Sequence, residues 1–275
     1  MKKKLLILFA LLILSRVAYT QVTSRYSTLS EARIDRLREK IASELPTLKD
    51  DHWSGYYSTG YTALDVAPKA GFVIESTCDL GLLDRNFGSV SKRGTEIHLE
   101  FQFKNSEQSH RGFPTTFMPI KWGDRRYLIP SENVVKFCNA VNYGSEPRDY
   151  LHGFFLFLPG DHEIKVKGFP DLPEKYRPYL LDQPIEAEIV KVGKSTLLPS
   201  RGDWNFRDTV VVLNVGKKHG VLEGMEFHVY QTIPASCFIT VGKVAGDSCE
   251  AVISQDDEEA PLPAVGWKLS TASKY

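Results

Sequence analysis

The stretch TEIHLEFQF at residues 95–103 decides the fold class of this chain. From Glu96 onward, polar and apolar side chains alternate with a period of two. That period is typical of a β-strand with one solvated face and one buried face. The apolar face consists of Ile97, Leu99, Phe101 and Phe103. The stretch therefore predicts an amphipathic strand and a β-rich domain around it.

Turn signals divide the residues around this stretch into short strands. Runs at residues 61–68 and 71–77 have strand composition and are separated by the turn Pro68–Gly71. Asn86–Gly88 and Lys92–Gly94 predict two further turns. Short strands joined by tight turns predict an antiparallel meander.

Aromatic residues and glycines in this meander have the spacing of lipocalin-like modules of exported bacterial proteins. The resemblance is carried by Trp53-x-Gly55-x-Tyr57, Pro68–Gly71, Asp84-x-Asn86-x-Gly88 and the amphipathic strand that follows. It covers residues 53–104 and implies a barrel or half-barrel that could hold an apolar ligand.

Residues 117–148 predict a hairpin followed by a helix. Gly123-Asp124 suits a two-residue turn, Ser131 is the expected N-cap of the helix, and Gly144 is its expected end. The hairpin also carries the candidate binding residues, because arginine forks and amphipathic aromatic side chains contribute much of the energy of protein interfaces. These residues are Trp122, Asp124, Arg125, Arg126 and Tyr127. The alternative is that the arginines pair with nearby acids and that Trp122 packs against the protein itself.

The C-terminal part predicts a second β domain with about six strands and glycine-rich turns. Val192–Thr196 imitates the end of a phosphate-binding loop, but Glu188 stands where the first glycine would be, so a turn is expected. The stretch TVVVLNVGKKHGVLEGMEFHVY at residues 209–230 resembles the C-terminal β-barrel module of the flagellar assembly protein T family. The resemblance covers residues 209–270 and implies a compact barrel that mediates protein contacts at the cell envelope.

Five segments follow from these patterns. The basic, apolar and small or polar order of residues 1–20 predicts a signal peptide, and residues 29–45 predict an amphipathic helix with a solvated charged face. Residues 53–158 form the predicted N-terminal β-rich domain, 159–184 a Pro-rich linker and 185–275 the C-terminal barrel. The predicted fold class is mainly β (α+β overall): a lipocalin-like antiparallel meander with a hairpin-helix insertion, followed by a small C-terminal β-barrel.

Charge and motif content restrict the function. The chain has 34 basic and 34 acidic residues, and removal of the signal peptide leaves a small acidic excess, which disfavours nucleic acid as a ligand. The apolar run of the signal peptide is too short for a permanent bilayer span, so no integral membrane span is expected after its removal. The sequence contains no recognisable catalytic or metal-binding motif, and no cofactor is predicted.

Four cysteines allow three disulfide pairings, and their spacing does not choose among them. Pairing within each predicted domain joins Cys78 to Cys138 and Cys237 to Cys249. Four thiols are an equal alternative, because cysteine also packs as a small apolar residue.

These observations predict an exported protein of the periplasm or extracellular space. The first hypothesis for its function is a non-enzymatic interaction or scaffold protein of the cell envelope with a protein partner. The alternatives are a protein that binds a small apolar ligand within the meander, and a hydrolase of envelope material that rests only on unassigned acids and histidines.

Overall fold

The structure is a computed structural model. It describes residues 28–48, 52–79, 81–105, 112–144, 146–147, 154–199, 205–230, 237–255 and 260–273. The predicted signal peptide of residues 1–20 lies outside the described residues. The predicted mainly β fold class is confirmed, because the described strands form two closed antiparallel barrels.

The first barrel has eight strands that follow one another around it in chain order. They are β1 (Gly55–Ser58), β2 (Thr62–Ala67), β3 (Gly71–Cys78), β4 (Gly81–Arg93), β5 (Glu96–Phe101), β6 (Thr116–Trp122), β7 (Arg125–Pro130) and β8 (Leu156–Phe157). Pairing of Ser58 with Phe157 closes the barrel.

The predicted turn at Asn86–Gly88 is wrong, because these residues lie inside β4. Gly88 pairs in register with Phe72 of β3. A Cβ atom at this position would collide with the backbone oxygen of Glu100 on the other side. The glycine therefore allows a close approach of neighbouring strands and does not mark a turn.

The second barrel has six strands in the order β10-β13-β12-β11-β14-β9. They are β9 (Glu186–Pro199), β10 (Asn205–Leu213), β11 (Glu226–Val229), β12 (Cys237–Val244), β13 (Cys249–Gln255) and β14 (Lys268–Ser270). Its core includes the fully buried side chains of Ile189, Val211, Leu213, Phe227 and Ile253. The turn predicted at Val192–Thr196 is wrong: the residues continue β9, with a register shift opposite Thr209 and Val211.

Contacts divide the chain into two compact units. The first takes in the described residues up to Tyr56 together with Tyr61–Ser91 and Leu99–Phe113, and the second comprises Tyr57–Gly60, Lys92–His98 and the described residues from Pro114 onward.

In the first unit, helix α1 (Thr28–Glu44) occupies the predicted amphipathic segment. Ile34 and Ile41 are buried and pack with Val73 and Phe87 of the neighbouring strands. Burial of this apolar stripe fixes the helix against the sheet, as its amphipathic pattern requires. No helix among the described residues is long and apolar enough to cross a bilayer.

In the second unit, the predicted hairpin and helix are confirmed. Trp122 pairs with Arg125 across the turn between β6 and β7. Helix α2 (Val134–Tyr143) ends at Gly144, whose φ of +82° is left-handed. Ser131 is not its N-cap, because a turn of 3-10 helix at Ser131–Asn133 comes first and no side chain caps either helical start.

The segment predicted as a Pro-rich linker packs against α2 with some of its aromatic residues. Leu172 is buried in the core around α2, and Tyr176, Tyr179 and Leu180 lie partly buried against it. Phe169 of the same segment does not take part in this packing and is 44% exposed.

The predicted disulfide pairs are wrong, because none of the four cysteines, all within the described residues, is in a disulfide. Cys237 pairs with Gln255 and Cys249 pairs with Val244, so these two cysteines lie at opposite ends of the β12–β13 ladder. That separation exceeds the reach of a disulfide. Burial raises the pKa of the Cys138 thiol to about 12 and that of Cys249 to about 11, which keeps both thiols protonated and unreactive.

Candidate functional site

The five candidate residues of the β6–β7 hairpin do not form one exposed surface. Asp124 is exposed at the turn, and Trp122 and Arg126 are half-buried. Arg125 is 7% exposed and Tyr127 is 2% exposed, so both side chains face the interior. Asp124, Trp122 and Arg126 are therefore the members of the set that a partner could reach.

Arg125 is held by four acceptors within the second unit. Its guanidinium donates to the backbone oxygens of Ile164 at 2.6 Å and His162 at 3.0 Å. It also donates to the Tyr127 hydroxyl at 3.2 Å and to the Glu146 carboxylate at 2.7 Å. These bonds use four of the five N–H donors of the guanidinium and hold it in place, so its first role is to tie together the segments around it.

The pKa values of Arg125 and Tyr127 follow from this network. Burial alone would lower the pKa of Arg125, but the bonds to Tyr127 and Glu146 outweigh it and raise that pKa. Burial raises the pKa of Tyr127, although Arg125 opposes the shift. The pair thus stays as a cation and a neutral phenol, which suits a structural role.

The other hairpin residues also make local contacts. Trp122 Nε1 donates to the Gly168 oxygen at 2.9 Å, and the backbone nitrogen of Arg126 donates to the Asp161 carboxylate at 2.7 Å. The alternative, that Arg125 and Arg126 pair with nearby acids and Trp122 packs, agrees with these contacts for Arg125 and Trp122, whereas Arg126 bonds Asp161 through its backbone nitrogen. A contact role for the five hairpin residues stays a prediction.

A buried amide on α2 bonds to the second barrel. Asn139 is 3% exposed; its Nδ2 donates to the Gly224 oxygen at 2.9 Å, and its Oδ1 accepts from the Glu226 nitrogen at 3.3 Å. Asn139 was not among the residues predicted from the sequence, although a lone asparagine within the apolar run FCNAV was a visible signal.

We expect Asn139→Ala to lower the free energy of unfolding by about 2 kcal/mol, because it removes both amide bonds, to the Gly224 oxygen and from the Glu226 nitrogen. Asn133→Ala is the control, since the Asn133 side chain makes no capping bond at the start of α2. Urea denaturation measures both variants, and equal stability of the two would contradict this role of Asn139.

His228 is a second residue with titratable chemistry that was not predicted from the sequence. It lies on β11, and its ring centre is 4.1 Å from that of Tyr143 on α2. Burial lowers the pKa of His228 to about 4. The imidazole is therefore neutral at physiological pH.

The outer surface of the second barrel carries exposed apolar side chains. Leu198 faces Phe206 across β9 and β10, and Val210 faces Val252 across β10 and β13. Leu198 and Phe206 are each 43% exposed and Val210 is 38% exposed. We call Leu198, Phe206 and Val210 the β9–β10 face.

The side chains of the predicted apolar face, Ile97, Leu99, Phe101 and Phe103, do not share one environment. Ile97 and Leu99 are buried, and Phe101 is half-buried with its ring edge-on to Phe72. Phe103 is 46% exposed, because β5 ends at Phe101 and the alternation ends with it. In the part of the chain that the structure describes, no three His, Cys, Asp or Glu side chains are grouped to hold a metal ion.

Comparison with known proteins gives no match to any protein-family model, curated protein or solved structure. The resemblances to lipocalin-like modules and to the flagellar assembly protein T family stay predictions.

Proposed function

We propose that the chain is an exported, non-enzymatic interaction protein of the cell envelope that binds a protein partner through the β9–β10 face. The observation that carries the proposal is the exposure of Leu198 and Phe206 side by side on one sheet surface. Contiguous exposed apolar side chains of this kind mark interaction sites in soluble proteins.

Covering the β9–β10 face with a partner would be favourable, because it would bury more apolar surface. Full burial of a leucine or phenylalanine side chain contributes about 1.5–3 kcal/mol. Leu198 and Phe206 are each 43% exposed, so less than half of that contribution is still available to a partner. The opposite side of β10 already contributes Val211 and Leu213 to the barrel core. The outward residues are therefore surplus to the stability of the barrel itself.

The desolvation of polar groups on the same surface would cost little when a partner binds. The Asp208 carboxylate lies between Phe206 and Val210 along β10, and it accepts a hydrogen bond from Ser254 at 2.7 Å. A polar group that already has a partner costs less to desolvate than one that depends on water. Exposed Lys191 and Glu250 both pair with Val212, so they supply charges next to Val210 at one end of the face.

A protein is the occupant that this geometry favours. The face lies on the outside of two paired strands, whereas small molecules are held in concave sites. Apolar side chains with charged residues next to them are common in protein interfaces. The predicted signal peptide supports the envelope as the place of contact.

We expect the double variant Leu198→Ser with Phe206→Ser to lose its partner and to keep its fold. A photo-reactive amino acid at position 210 would cross-link the partner in the host compartment, and the double variant would abolish the adduct. The matched control is Leu262→Ser with Val265→Ser, which are 60% and 63% exposed elsewhere on the chain. Both variants should unfold within about 0.5 kcal/mol of the natural chain.

Three results would contradict the proposal. An adduct that persists in the double variant would place the contact elsewhere. A cross-linked product that consists only of two copies of this chain would mean self-association, and complete absence of an adduct would leave the face without a partner.

A further inference from the structure

A cleft of about 560 Å³ lies in the first unit, between α1 and the outer side of β4 and β5. One wall is α1, and the turn Pro68–Gly71 borders it. The floor includes outward side chains of the strands. The lining residues that matter here are Arg33, Arg36, Lys40, Lys69, Phe87, Ser89, Glu100 and Gln102.

Four cations line this cleft. Arg33, Arg36 and Lys40 are three and four residues apart along α1, so they lie on one helix face and cover roughly 10 Å of its length. Lys69 adds a fourth cation from the turn. Glu100 is the one acidic residue in the described lining, and the Glu44 carboxylate lies at its border, where it accepts from the backbone nitrogens of Lys69 at 2.9 Å and Ala70 at 2.7 Å. Four cations against these two carboxylates leave the cleft with a net positive charge.

None of the four cations forms an ion pair within the described residues. No carboxylate among the described residues lies within ion-pair distance of any of them. Arg38 on the same helix shows the contrast, because it pairs with Asp65 at 3.1 Å and with Glu75 at 2.6 Å. Like charges gathered in one cleft repel one another, and a bound anion would relieve that repulsion.

Arg33 is already positioned for such an anion. Its guanidinium carbon lies 4.9 Å from the centre of the Phe87 ring, and its Nη2 is 3.5 Å from Gln102 Oε1. Stacking on an aromatic ring and an amide contact reduce the freedom of the long side chain. Less freedom is then lost when a ligand binds.

The floor of the cleft adds acceptors for hydroxyl groups. Glu100 accepts a hydrogen bond from Ser89 at 3.1 Å, which orients its carboxylate. A carboxylate offers about four lone-pair sites on its two oxygens, and the Gln102 amide oxygen, which Arg33 contacts, has two. The cleft thus combines cations for an anionic group with acceptors for neighbouring hydroxyls.

We propose that this cleft binds a phosphorylated sugar. A phosphate group offers several negatively charged oxygens to the forks of Arg33 and Arg36, and sugar hydroxyls can donate to Glu100 and Gln102. The volume lies within the usual range for small-ligand sites. The same chemistry occurs in a soluble sugar phosphate and in the headgroup of a phosphorylated glycolipid.

The test measures binding of two probes to the full mature chain. Fructose 1,6-bisphosphate is the soluble probe, with fructose and inorganic pyrophosphate as its partial analogues, and calorimetry gives the dissociation constants. Lipid A in phosphatidylcholine vesicles supplies a phosphorylated sugar headgroup, with phosphatidylcholine alone for comparison, and co-sedimentation measures the bound fraction.

The matched variants remove two positive charges each. Arg36→Gln with Lys40→Gln changes exposed side chains in the cleft, and Lys165→Gln with Lys167→Gln changes two exposed lysines outside it. We expect the cleft variant to weaken binding at least about tenfold and the control to leave it unchanged. Both should retain the melting temperature of the natural chain.

The outcomes distinguish a soluble sugar phosphate from a glycolipid headgroup, and they also show when the proposal is wrong. Tight binding of fructose 1,6-bisphosphate identifies a soluble sugar phosphate, whereas binding of lipid A vesicles alone identifies a headgroup. Equal losses in both variants would show unspecific charge attraction and overturn the proposal. Pyrophosphate that binds as tightly as fructose 1,6-bisphosphate would overturn the role of the sugar, and no binding of either probe would overturn the site.

Discussion

Arg125→Ala should lower the free energy of unfolding by about 3 kcal/mol, one of the two largest effects expected from a change at a single residue of this chain. The substitution takes donors away from the backbone oxygens of His162 and Ile164 and from the Glu146 carboxylate. Each enclosed acceptor left without a donor costs about 1–3 kcal/mol, and entry of water recovers part of the sum.

The neighbouring arginine provides the matched control. Arg126 uses its backbone nitrogen to bond Asp161, and truncation of its side chain leaves that bond in place. Arg126→Ala should therefore stay within about 0.5 kcal/mol of the natural chain. Arg125→Lys should lose most of the stability that Arg125→Ala loses, because an ammonium group cannot reproduce the planar fork.

Equilibrium unfolding in urea measures all three variants. A loss below about 0.5 kcal/mol for Arg125→Ala would mean that Arg125 is a surface residue in solution and would return it to the candidate contact residues. The expected result would limit those residues to the accessible part of the hairpin.

Arg125 also shows where sequence reasoning was sufficient and where it was not. The hairpin was predictable, because two alternating runs flank a two-residue turn. The orientation of Arg125 was not encoded in the same way. Residues 125, 127 and 129 lie on one side of β7 and are buried, but Leu128 and Pro130 on the other side are buried as well, so alternation did not tell the two sides apart. The general rule that arginine is exposed also argued against a buried Arg125.

Glycines inside long strands explain why two predictions of turns were wrong. Gly88 and Gly193 interrupt their sequences as turn glycines do, yet each lies in a strand where another backbone approaches closely. Sequence alone cannot separate these two uses, because both require the absence of a Cβ atom.

The cleft on α1 could not be predicted from any local pattern. The spacing of Arg33, Arg36 and Lys40 was visible, but a charged helix face is ordinarily a solvated one. Whether this helix face forms part of a binding cleft depends on Lys69 and Glu100, which only the folded chain brings next to it. Long-range pairing of this kind is carried by tertiary structure and leaves no periodic signal.

We expect acid to destabilise the protein through His228, by about 3 kcal/mol when the pH has fallen to 4. Burial lowers the pKa of His228 from its ordinary value of 6.5 to about 4 in the folded chain. The unfolded chain therefore binds a proton near pH 6.5, while the folded chain resists it. The stability contributed by neutral His228 is complete above pH 6.5 and is lost progressively as the pH falls towards 4.

His228→Gln isolates this contribution, because glutamine is polar and does not titrate. Urea unfolding of this variant at a series of pH values from 7 to 4 should show a flatter decline of stability than that of the natural chain. His52→Gln, which changes an exposed histidine, is the matched control variant. The remaining decline in His228→Gln would then belong to other groups. Equal slopes for the natural chain and His228→Gln would mean that the imidazole beside Tyr143 is solvated and takes up its proton in the folded state.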